Sequence, residues 1–491
     1  MFEPENAPRI LTGEQEETVH ETAMRILEEI GTDVMHEPAR AMLAEAGLKV
    51  DEQRVYWDRG FVMEQVAKAP SSFRLRGRNP ERSLTVGGRV GGGGEAGVPV
   101  WMNVGGPPFA SDLDEGRRSG RMQDHDRMVK LTHATDVLNC VQVGGPEATD
   151  LQMEVRHMDM EYSAIRYSDK PYTTYGTSGP RARDGIRMAE IVHGGRAAIE
   201  AEPALMGIVN PNSPLIWDFR MTDALMAWAE AKQPIVVTPF LLAGATSAVS
   251  VSGGLTQQVA EALSGVALAQ LVREGVPCLY GSFFTVTDMR TGSPAFGTPE
   301  SVWGILAGAQ LARRYGLPFR GGGGLASSPA VDAQAAAETQ MMLWATNLAA
   351  TDVVLHAAGW LEGGLCASFE KFALDIELLR QFQVQARGVG FSDEEIAFDA
   401  LKETGPGGLF LSSPHTREHF KEWLYMSPLF QTPDFATWEM MGAETTEVAA
   451  NRAWKQLLES YEDPGLDPAI DEELKAYMAS RSDAPDLFVD D

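Results

Sequence analysis

The chain has 491 residues, 44% of them apolar, and a formal net charge of −28, which excludes nucleic acid as an expected partner because binding it requires a basic surface. No run of 18 or more apolar residues occurs, so a membrane span is not expected, and the acidic N-terminus lacks the basic start and apolar stretch of a signal peptide. Three cysteines without CxxC spacing predict neither a disulfide framework nor a structural zinc site, so we expect a cytoplasmic protein.

Residues 1–98 are predicted to form a helical and β-containing N-terminal extension. Thr12 and Gln15 have the spacing of a capping box, and the apolar face that follows them ends at Gly31. A second helical pattern covers residues 38–46. Residues 71–98 end in a glycine-rich run and indicate short strands followed by a flexible connection.

From residue 99 to residue 390 short apolar runs alternate with helical patterns, which predicts an α/β fold with a parallel sheet and helices outside it. The eight apolar runs are residues 98–106, 137–145, 171–177, 204–210, 234–240, 277–284, 317–322 and 352–359. The helical patterns that follow them are residues 121–134, 151–167, 182–198, 217–231, 253–274, 299–315, 330–349 and 366–384. Eight such units predict closure into a (β/α)₈ TIM barrel. An open doubly wound sheet is the alternative, and the lack of a GxGxxG motif after an early strand disfavours its Rossmann form.

Residues 391–491 are predicted to form a C-terminal helical cap that ends in an acidic tail. Ser392 and Glu395 have capping-box spacing, and residues 450–461 form a last amphipathic pattern. We expect this cap to bury helices of its own barrel or of a neighbouring subunit, and we expect the chain to form a homo-oligomer.

Active sites of parallel barrels lie at the C-terminal ends of the strands, and here those ends carry mostly aromatic and amide side chains. They are Asn103, Gln142, Tyr175, Thr177, Asn210, Phe240, Phe283, Phe284, Arg320, His356 and Trp360. The set has no lysine, so Schiff-base chemistry is not expected. Aromatic rings that face a common space are typical of a site for a quaternary ammonium, at about 0.5–2 kcal/mol for each ring. The alternative is that these rings only pack the top of the barrel.

Arg320 and His356 are the charged or titratable candidates. Arg320 ends a strand predicted to be buried, where a guanidinium needs an anion; a substrate carboxylate held bidentately and an internal salt bridge both meet that need. His356 is either a functional residue at a strand end or a core histidine. A zinc trio of His356 with Cys140 and Cys278 is disfavoured because both cysteines lie mid-strand, so no metal site is predicted.

Three segments resemble the trimethylamine methyltransferase family, and the likeness spans residues 9–480. They are LTGEQEETVHETAMRILEEIGTDV (11–34), SSPAVDAQAAAETQ (327–340) and HTREHFKEWLYMSPLF (415–430). The resemblance implies a barrel enzyme that moves a methyl group from a methylamine or quaternary amine to the cobalt of a separate corrinoid protein. Trimethylamine-specific members carry pyrrolysine, which this sequence lacks. The chain therefore resembles the branch that demethylates quaternary amines such as glycine betaine.

The resemblance also implies roles for the candidate residues. We expect an in-line displacement in which an aromatic cage holds the ammonium, Arg320 or nearby amides anchor the carboxylate, and cobalt(I) attacks the methyl group. The proposed catalytic residue is His356, and the substrate-binding set is Tyr175, Asn210, Phe283, Phe284, Arg320 and Trp360. The corrinoid signature DxHxxG is absent, so the cobalamin is expected on a partner protein. The glycine run, which lacks the rest of a phosphate-loop motif, is expected to allow close approach of this bulky group: Gly321, Gly322, Gly323 and Gly324.

Two other functions stay open at this point. One is a zinc-dependent barrel methyltransferase that uses a thiol or folate acceptor. The other is a non-catalytic protein that binds a betaine without transferring its methyl group. The sequence does not choose among glycine betaine, proline betaine and carnitine, because pocket size decides between such donors.

Overall fold

The computed structural model describes residues 4–88 and 99–482, and its N-terminal part mixes short helices and strands. Its elements are α1 Gly13–Arg25, β1 Thr32–Val34, α2 Glu37–Glu45, β2 Lys49–Asp51, β3 Arg54–Tyr56, α3 Arg59–Val66, β4 Ser72–Leu75 and β5 Leu84–Gly87. The capping box is confirmed, because the side chains of Thr12 and Gln15 each accept the backbone N–H of the other residue. The predicted flexible connection at residues 89–98 lies outside the described residues.

Strands and helices then alternate as far as residue 387. The strands are β6 Val100–Asn103, β7 Phe109–Ser111, β8 Arg118–Ser119, β9 Tyr172–Thr173, β10 Leu205–Val209, β11 Ile216–Trp217, β12 Ile235–Val237, β13 Phe240–Ala243, β14 Cys278–Gly281, β15 Phe283–Thr287, β16 Pro294–Ala295, β17 Phe319–Gly321, β18 Val353–Ala358, β19 Trp360–Leu361 and β20 Cys366–Ser368. The helices are α4 Met122–Ala134, α5 Arg156–Tyr167, α6 Gly179–His193, α7 Arg196–Ala201, α8 Phe219–Glu230, α9 Val251–Val272, α10 Pro299–Arg314, α11 Ala333–Leu348 and α12 Phe369–Arg387.

Seven of the predicted strands form one parallel sheet, in the order β6-β18-β17-β14-β12-β10-β9. The predicted second run, residues 137–145, is not a regular strand. It makes one parallel bridge on each side, from Cys140 to Met102 of β6 and from Val141 to Tyr172 of β9. The sheet is therefore an α/β half-barrel of seven strands whose two edge strands are joined by isolated bridges.

Amide side chains explain why regular pairing fails in this run. The backbone N–H of Trp101 donates to Asn139 Oδ1, and the N–H of Gln142 donates to Asn103 Oδ1. Because these side chains take ladder positions that a neighbouring carbonyl normally occupies, the backbones cannot pair in a continuous register.

The hairpin of β4 and β5 fills the N-terminal end of the sheet interior. Its apolar residues Phe73, Leu75, Leu84 and Val86 belong to one buried cluster with the inward-facing residues of the parallel strands. The sequence indicated short strands here but not this packing, since the contacts are remote in the chain. With this end filled by apolar side chains, the C-terminal ends of the strands are left as the accessible side.

Short strands build walls above those C-terminal ends. The predicted runs 234–240 and 277–284 each break in two, because β13 and β15 continue after β12 and β14 but pair with each other and with β16 in a separate sheet. A second small sheet has the order β19-β20-β7-β8, and β11 joins the N-terminal strands in the order β11-β1-β3-β2.

The C-terminal part is helical, as predicted. Its helices are α13 Asp393–Ile396, α14 Phe398–Thr404, α15 Pro414–Trp423, α16 Phe435–Met440, α17 Thr446–Glu459 and α18 Pro468–Ser482. The Ser392–Glu395 capping box is confirmed. Helix α17 packs on α12 and α4, and α18 packs on α5 and α6. The domain boundaries after residues 98 and 390 stay predictions. Among the described residues, no helix is both long enough and apolar enough to cross a membrane.

Candidate active site

A cavity of about 590 Å³ opens at the C-terminal ends of the parallel strands. It is lined by eight of the eleven strand-end residues predicted from sequence, Gln142, Thr177 and Phe240 among them. The other five belong to the predicted catalytic and substrate-binding set, one from each of five different strand ends. These residues are Tyr175, Asn210, Phe283, Arg320 and His356. Residues that are far apart in the chain therefore share one hollow, at the position where parallel barrels hold their active sites.

Arg320 is the only cation among the residues that line this cavity. Its side chain is 1% exposed, and it donates to Thr238 Oγ1 at 3.2 Å and to the Ser282 carbonyl at 3.4 Å. Among the described residues no carboxylate forms an ion pair with it, and its Nε has no hydrogen-bond partner. Burial lowers the pKa of Arg320 to about 9, so the group still carries its charge at neutral pH.

Aromatic rings lie next to this guanidinium. The Phe283 ring centroid is 4.8 Å from Arg320 Cζ and 4.7 Å from the ring centroid of Phe240, which also lines the cavity. Tyr175 lines the cavity from the β9 side. The cavity therefore combines a fixed positive charge with several ring faces, the two features that bind a carboxylate and a quaternary ammonium.

His356 lies at a bulge in β18, where the register to β6 shifts, and its φ of 56° is in the left-handed region that non-glycine residues seldom adopt. Its Nδ1 accepts a hydrogen bond from the backbone N–H of Gly105 at 3.2 Å, and the backbone N–H of His356 donates to Gln142 Oε1 at 3.1 Å. Burial, reinforced by the charge of Arg320, holds the pKa of His356 well below its usual value. The imidazole is therefore neutral, and with Nδ1 as acceptor its proton is on Nε2.

Tyr175 is fixed by two carboxyl groups, those of the partly buried Glu147 and the buried Glu161. Its hydroxyl donates to Glu147, whose carboxylate also accepts from Arg156 at 2.7 Å. Its backbone N–H donates to Glu161 Oε1 at 3.0 Å, and Glu161 also accepts from Thr174. Burial raises the pKa of Glu161 to about 8, so this carboxyl is mostly protonated at neutral pH.

Two predicted substrate-binding residues do not line the cavity. Phe283 and Phe284 point to opposite faces of β15, and Phe284 packs with Leu241 and Ala243. Trp360 lies behind the cavity wall, where its ring centroid is 4.6 Å from that of His356 and 6.2 Å, edge-on, from that of Phe283.

The four glycines at residues 321–324 are buried and do not line the cavity either. A Cβ on Gly323 would lie 2.4 Å from the carbonyl oxygen of Leu355 and 2.8 Å from that of His356. The glycine therefore allows its backbone to lie close to the backbone of the bulged part of β18. Gly324 N–H donates to the His356 carbonyl. Their expected role beside a corrinoid stays a prediction.

The zinc trio considered from sequence does not form a metal-ligand group. Among the described residues, the one cluster of His, Cys, Asp or Glu with ligand atoms close enough to share an ion is Glu17, His20 and Glu21 on α1. Burial raises the pKa values of the Cys140 and Cys278 thiols.

The sequence profile of a family described as trimethylamine methyltransferase (MTTB) matches residues 3–485 of this chain. The chain belongs to this family. Membership confirms the resemblance that three short segments indicated.

Two relatives in the family are similar over most of their length. A glycine betaine methyltransferase from Desulfitobacterium hafniense (strain Y51) is 40% identical over 472 residues, which cover 96% of this chain and 97% of that protein. A proline betaine:corrinoid methyltransferase from Eubacterium limosum is 29% identical over 420 residues, which cover 83% and 84%. Among solved structures, the monomethylamine methyltransferase of Methanosarcina barkeri aligns with a TM-score of 0.53 over 95% of this chain and 90% of that chain. At 11% identity, that last likeness concerns the fold alone.

Sequence reasoning missed Glu147, Glu161 and Thr238. Glu161 carries a signal that could have found it, because it lies on the apolar face of its predicted helix, three residues after Met158 and four before Ile165. Glu147 and Thr238 carry no such signal, because a single carboxylate after a strand or a single hydroxyl within one is common in any sequence.

Proposed function

We propose that this chain transfers a methyl group from a carboxylate-bearing quaternary amine, such as glycine betaine, to the cobalt(I) of a separate corrinoid protein. The observation that carries the proposal is Arg320: a buried guanidinium with no ion-pair partner among the described residues, at a cavity walled by aromatic rings. A buried charge without a partner is destabilising, so its retention is explained by a ligand anion. The names of the similar betaine methyltransferases point to the same donor class.

The roles of the residues follow from their chemistry. Arg320 binds the donor carboxylate, with the Thr238 hydroxyl beside it at 3.2 Å. The rings of Phe283, Phe240 and Tyr175 hold the ammonium by cation–π attraction. His356, neutral with its proton on Nε2, is placed to donate a hydrogen bond without adding a charge that would repel the ammonium.

No protein nucleophile or proton transfer to the donor is needed. A quaternary nitrogen leaves as a neutral amine when it loses a methyl group, so the protein must only hold the donor, exclude water and present the methyl group. The corrinoid supplies the cobalt(I) nucleophile. In this proposal Trp360 supports the Phe283 ring from behind the cavity, and Phe284 anchors the other face of β15 by packing with Leu241 and Ala243.

Three structural expectations belong to the same proposal. The parallel bridges of residues 140 and 141 to both edges of the sheet support a closed (β/α)₈ barrel. A cobalt(I) acceptor requires reducing conditions, and the three cysteines are free and buried, which supports a cytoplasmic location. We also propose a homo-oligomer, because residues 388–445 expose many large hydrophobic side chains, such as Leu411 and Met426, that a monomer would leave in water.

The test is to mix the purified chain with reduced cob(I)alamin and one donor, and to follow methylcobalamin by absorbance. Methylcobalamin is expected with glycine betaine or another carboxylate-bearing quaternary amine, and far more slowly with tetramethylammonium, which cannot engage Arg320. Tight betaine binding by calorimetry without any methylcobalamin would instead support the non-catalytic alternative. Methyl transfer to a thiol or folate that a zinc chelator abolishes would support the zinc-dependent alternative.

A further inference from the structure

A second cavity, of about 560 Å³, lies outside the parallel sheet, between α11, α12 and the chain from residue 430 to residue 447. It shares no lining residue with the cavity at Arg320. Its volume is within the roughly 300–1,000 Å³ that is usual for small-molecule sites. The proposed methyl transfer makes no use of it, so its chemistry has to be derived from its own lining.

Apolar side chains form most of this lining. Val331 and Ala336 lie at the start of α11, Leu374 and Leu378 lie one turn apart on α12, and the ring of Phe430 lines the cavity from the C-terminal part of the chain. Leu374 is half-buried and Phe430 is 36% exposed. An apolar ligand chain would cover this surface and release the water that contacts it, which favours binding.

The charged groups of the cavity give it an excess of negative charge. The carboxylates of Asp332, Asp375 and Glu447 line it, and among the lining residues Lys371 is the only cation. The Lys371 ammonium is already engaged, at 2.6 Å from the Asp375 carboxylate. Glu447 forms no ion pair within the described part of the chain, and burial together with the charge of Glu370 raises its pKa. A positive group is therefore missing beside Glu447.

Two helix N-termini reduce this negative excess without reversing it. Helices α11 and α17 begin at the cavity, and each N-terminus carries about half a positive charge, compared with the full negative charge of a carboxylate. Their capping side chains already accept N–H groups of the first turn, Asp332 from Ala335 and Thr445 from Val448. An anion would thus approach carboxylates without finding a free cation, whereas a cation would be attracted.

We propose that this second cavity binds a small organic cation with an apolar chain, such as an alkylammonium. The lining offers the ammonium a charge-assisted hydrogen bond to Glu447 and the face of the Phe430 ring, and it offers the chain Leu374 and Leu378. The cavity at Arg320 carries a fixed positive charge and so disfavours the same ligand. The two cavities therefore select ligands of different charge.

The test is calorimetric titration of the full chain with three ligands of equal chain length: hexylammonium, hexan-1-ol and hexanoate. Saturable binding of hexylammonium at one site per chain is expected, about tenfold or more tighter than binding of the neutral alcohol, with hexanoate weakest. Equal affinities for hexylammonium and hexan-1-ol would overturn the inference, and so would the absence of saturable hexylammonium binding.

Variants assign the binding to this cavity. Ala336 is an exposed residue of α11 that lines the cavity, so Ala336→Phe should fill the space and weaken hexylammonium binding about tenfold or more. Ala337→Phe is the matched control, because the neighbouring Ala337 is equally exposed and does not line the cavity. Glu447→Gln should abolish the preference for hexylammonium over hexan-1-ol, whereas Glu459→Gln, at the exposed end of the same helix, should keep it.

A competition experiment separates the two cavities. Saturating glycine betaine is expected to leave hexylammonium binding unchanged. Displacement by glycine betaine, or full binding to Ala336→Phe, would overturn the assignment to the second cavity. None of these titrations contains a corrinoid or measures methyl transfer, so the proposed reaction can fail or hold independently.

Discussion

At the scale of single residues, the proposed function gives Arg320 opposite effects on two properties: it favours substrate binding and disfavours folding. Its charge lies in a low-dielectric interior without an ion-pair partner among the described residues, and a buried unpaired charge opposes folding. We expect Arg320→Met to raise the free energy of unfolding of the empty protein by about 1–4 kcal/mol. The same change should lower kcat/KM for glycine betaine by about 10²-fold or more, because a buried charge pair is lost. Chemical denaturation and steady-state methyl transfer measure the two effects.

A matched substitution of a surface arginine separates the two effects expected for Arg320→Met from a general effect of losing an arginine. Arg290 pairs with Asp288 on the surface, and its side chain is 88% exposed, so Arg290→Met should leave both stability and kcat/KM nearly unchanged. If Arg320→Met destabilised the protein, the guanidinium would be part of the folded core and not a site held open for an anion.

Glu161 predicts a dependence of stability on pH. Its folded-state pKa is raised to about 8 by burial, whereas the unfolded carboxyl has its ordinary value near 4.5. Between these values the folded protein holds a proton that the unfolded chain has lost. The contribution of this group to stability is therefore full below pH 4.5 and is lost as the pH rises through 8. Glu161→Gln removes this titration.

We therefore expect the stability difference between Glu161→Gln and the wild type to grow as the pH rises. Thermal melting at pH 5, 6.5 and 8 should show Glu161→Gln gaining stability relative to the wild type at each step. A constant difference across this range would mean that the carboxyl is ionised in the folded protein. Glu29→Gln is the control, because the Glu29 carboxyl is exposed on the surface and its hydrogen bond with Arg25 lowers its pKa, so it is ionised throughout this range.

The sequence predicted which side chains gather at the cavity better than it predicted how they point. Tyr175, Asn210, Phe283, Arg320 and His356 were found because strand ends in a parallel sheet meet at one edge. Phe284 and Trp360 were misplaced relative to the cavity because orientation depends on where each run breaks, and the break after β14 has no strong signal in the run 277–284.

At the scale of elements, helix α12 secures the two backbone segments that surround His356. Lys371 and Asp375 form a fully buried ion pair one turn apart at 2.6 Å. Lys371 Nζ also donates to the Gly324 carbonyl at 3.1 Å, and Asp375 Oδ2 accepts the Gly359 N–H at 2.8 Å. The ends of β17 and β18 are therefore both hydrogen-bonded to one turn of one helix.

Because the two charges are buried together, we expect a single substitution at Lys371 and a double substitution of the pair to change the free energy of unfolding by different amounts. Lys371→Met leaves the Asp375 carboxylate buried and unpaired, which should cost about 3–5 kcal/mol of unfolding free energy. Lys371→Met/Asp375→Asn removes that charge while keeping an acceptor for Gly359, so we expect it to regain most of the loss. Urea unfolding of wild type and both variants gives the comparison. Equal losses in the two variants would show that the pair acts only through its hydrogen bonds to the loops.

The periodicity of the sequence predicted which segments are helices and strands with few errors, but it did not predict how the strands pair. The capping boxes at Thr12 and Ser392 are local signals, and both were found. The run 137–145 has the composition of a strand, but the side-chain oxygens of Asn103 and Asn139 accept backbone N–H groups that would otherwise form ladder hydrogen bonds. The filling of the sheet interior by β4 and β5 depends on contacts between distant segments, which no local pattern encodes.

At the scale of the whole molecule, the net charge and the exposed hydrophobic side chains of residues 388–445 have opposite effects on the proposed homo-oligomer. Each copy repels the next through its charge of −28, while burial of the apolar surface of residues 388–445 would favour assembly through an effect that salt does not screen. We therefore expect assembly to tighten as NaCl rises from about 0.02 to about 0.3 M, over which the screening length falls from roughly 20 to 6 Å. Sedimentation equilibrium measures the dissociation constant. An interface built from ion pairs would show the opposite trend and weaken with salt.

In the proposed function, the guanidinium of Arg320 also disfavours binding of cations that lack a carboxylate. A protonated trimethylamine or a choline brings a positive head into the cavity without a carboxylate to neutralise the arginine. Two like charges about 5 Å apart repel by roughly 3 kcal/mol at an effective dielectric constant of 20, enough to reduce occupancy about a hundredfold. The cavity would then discriminate between zwitterions and simple cations through one residue, whatever the shape of the methylated end.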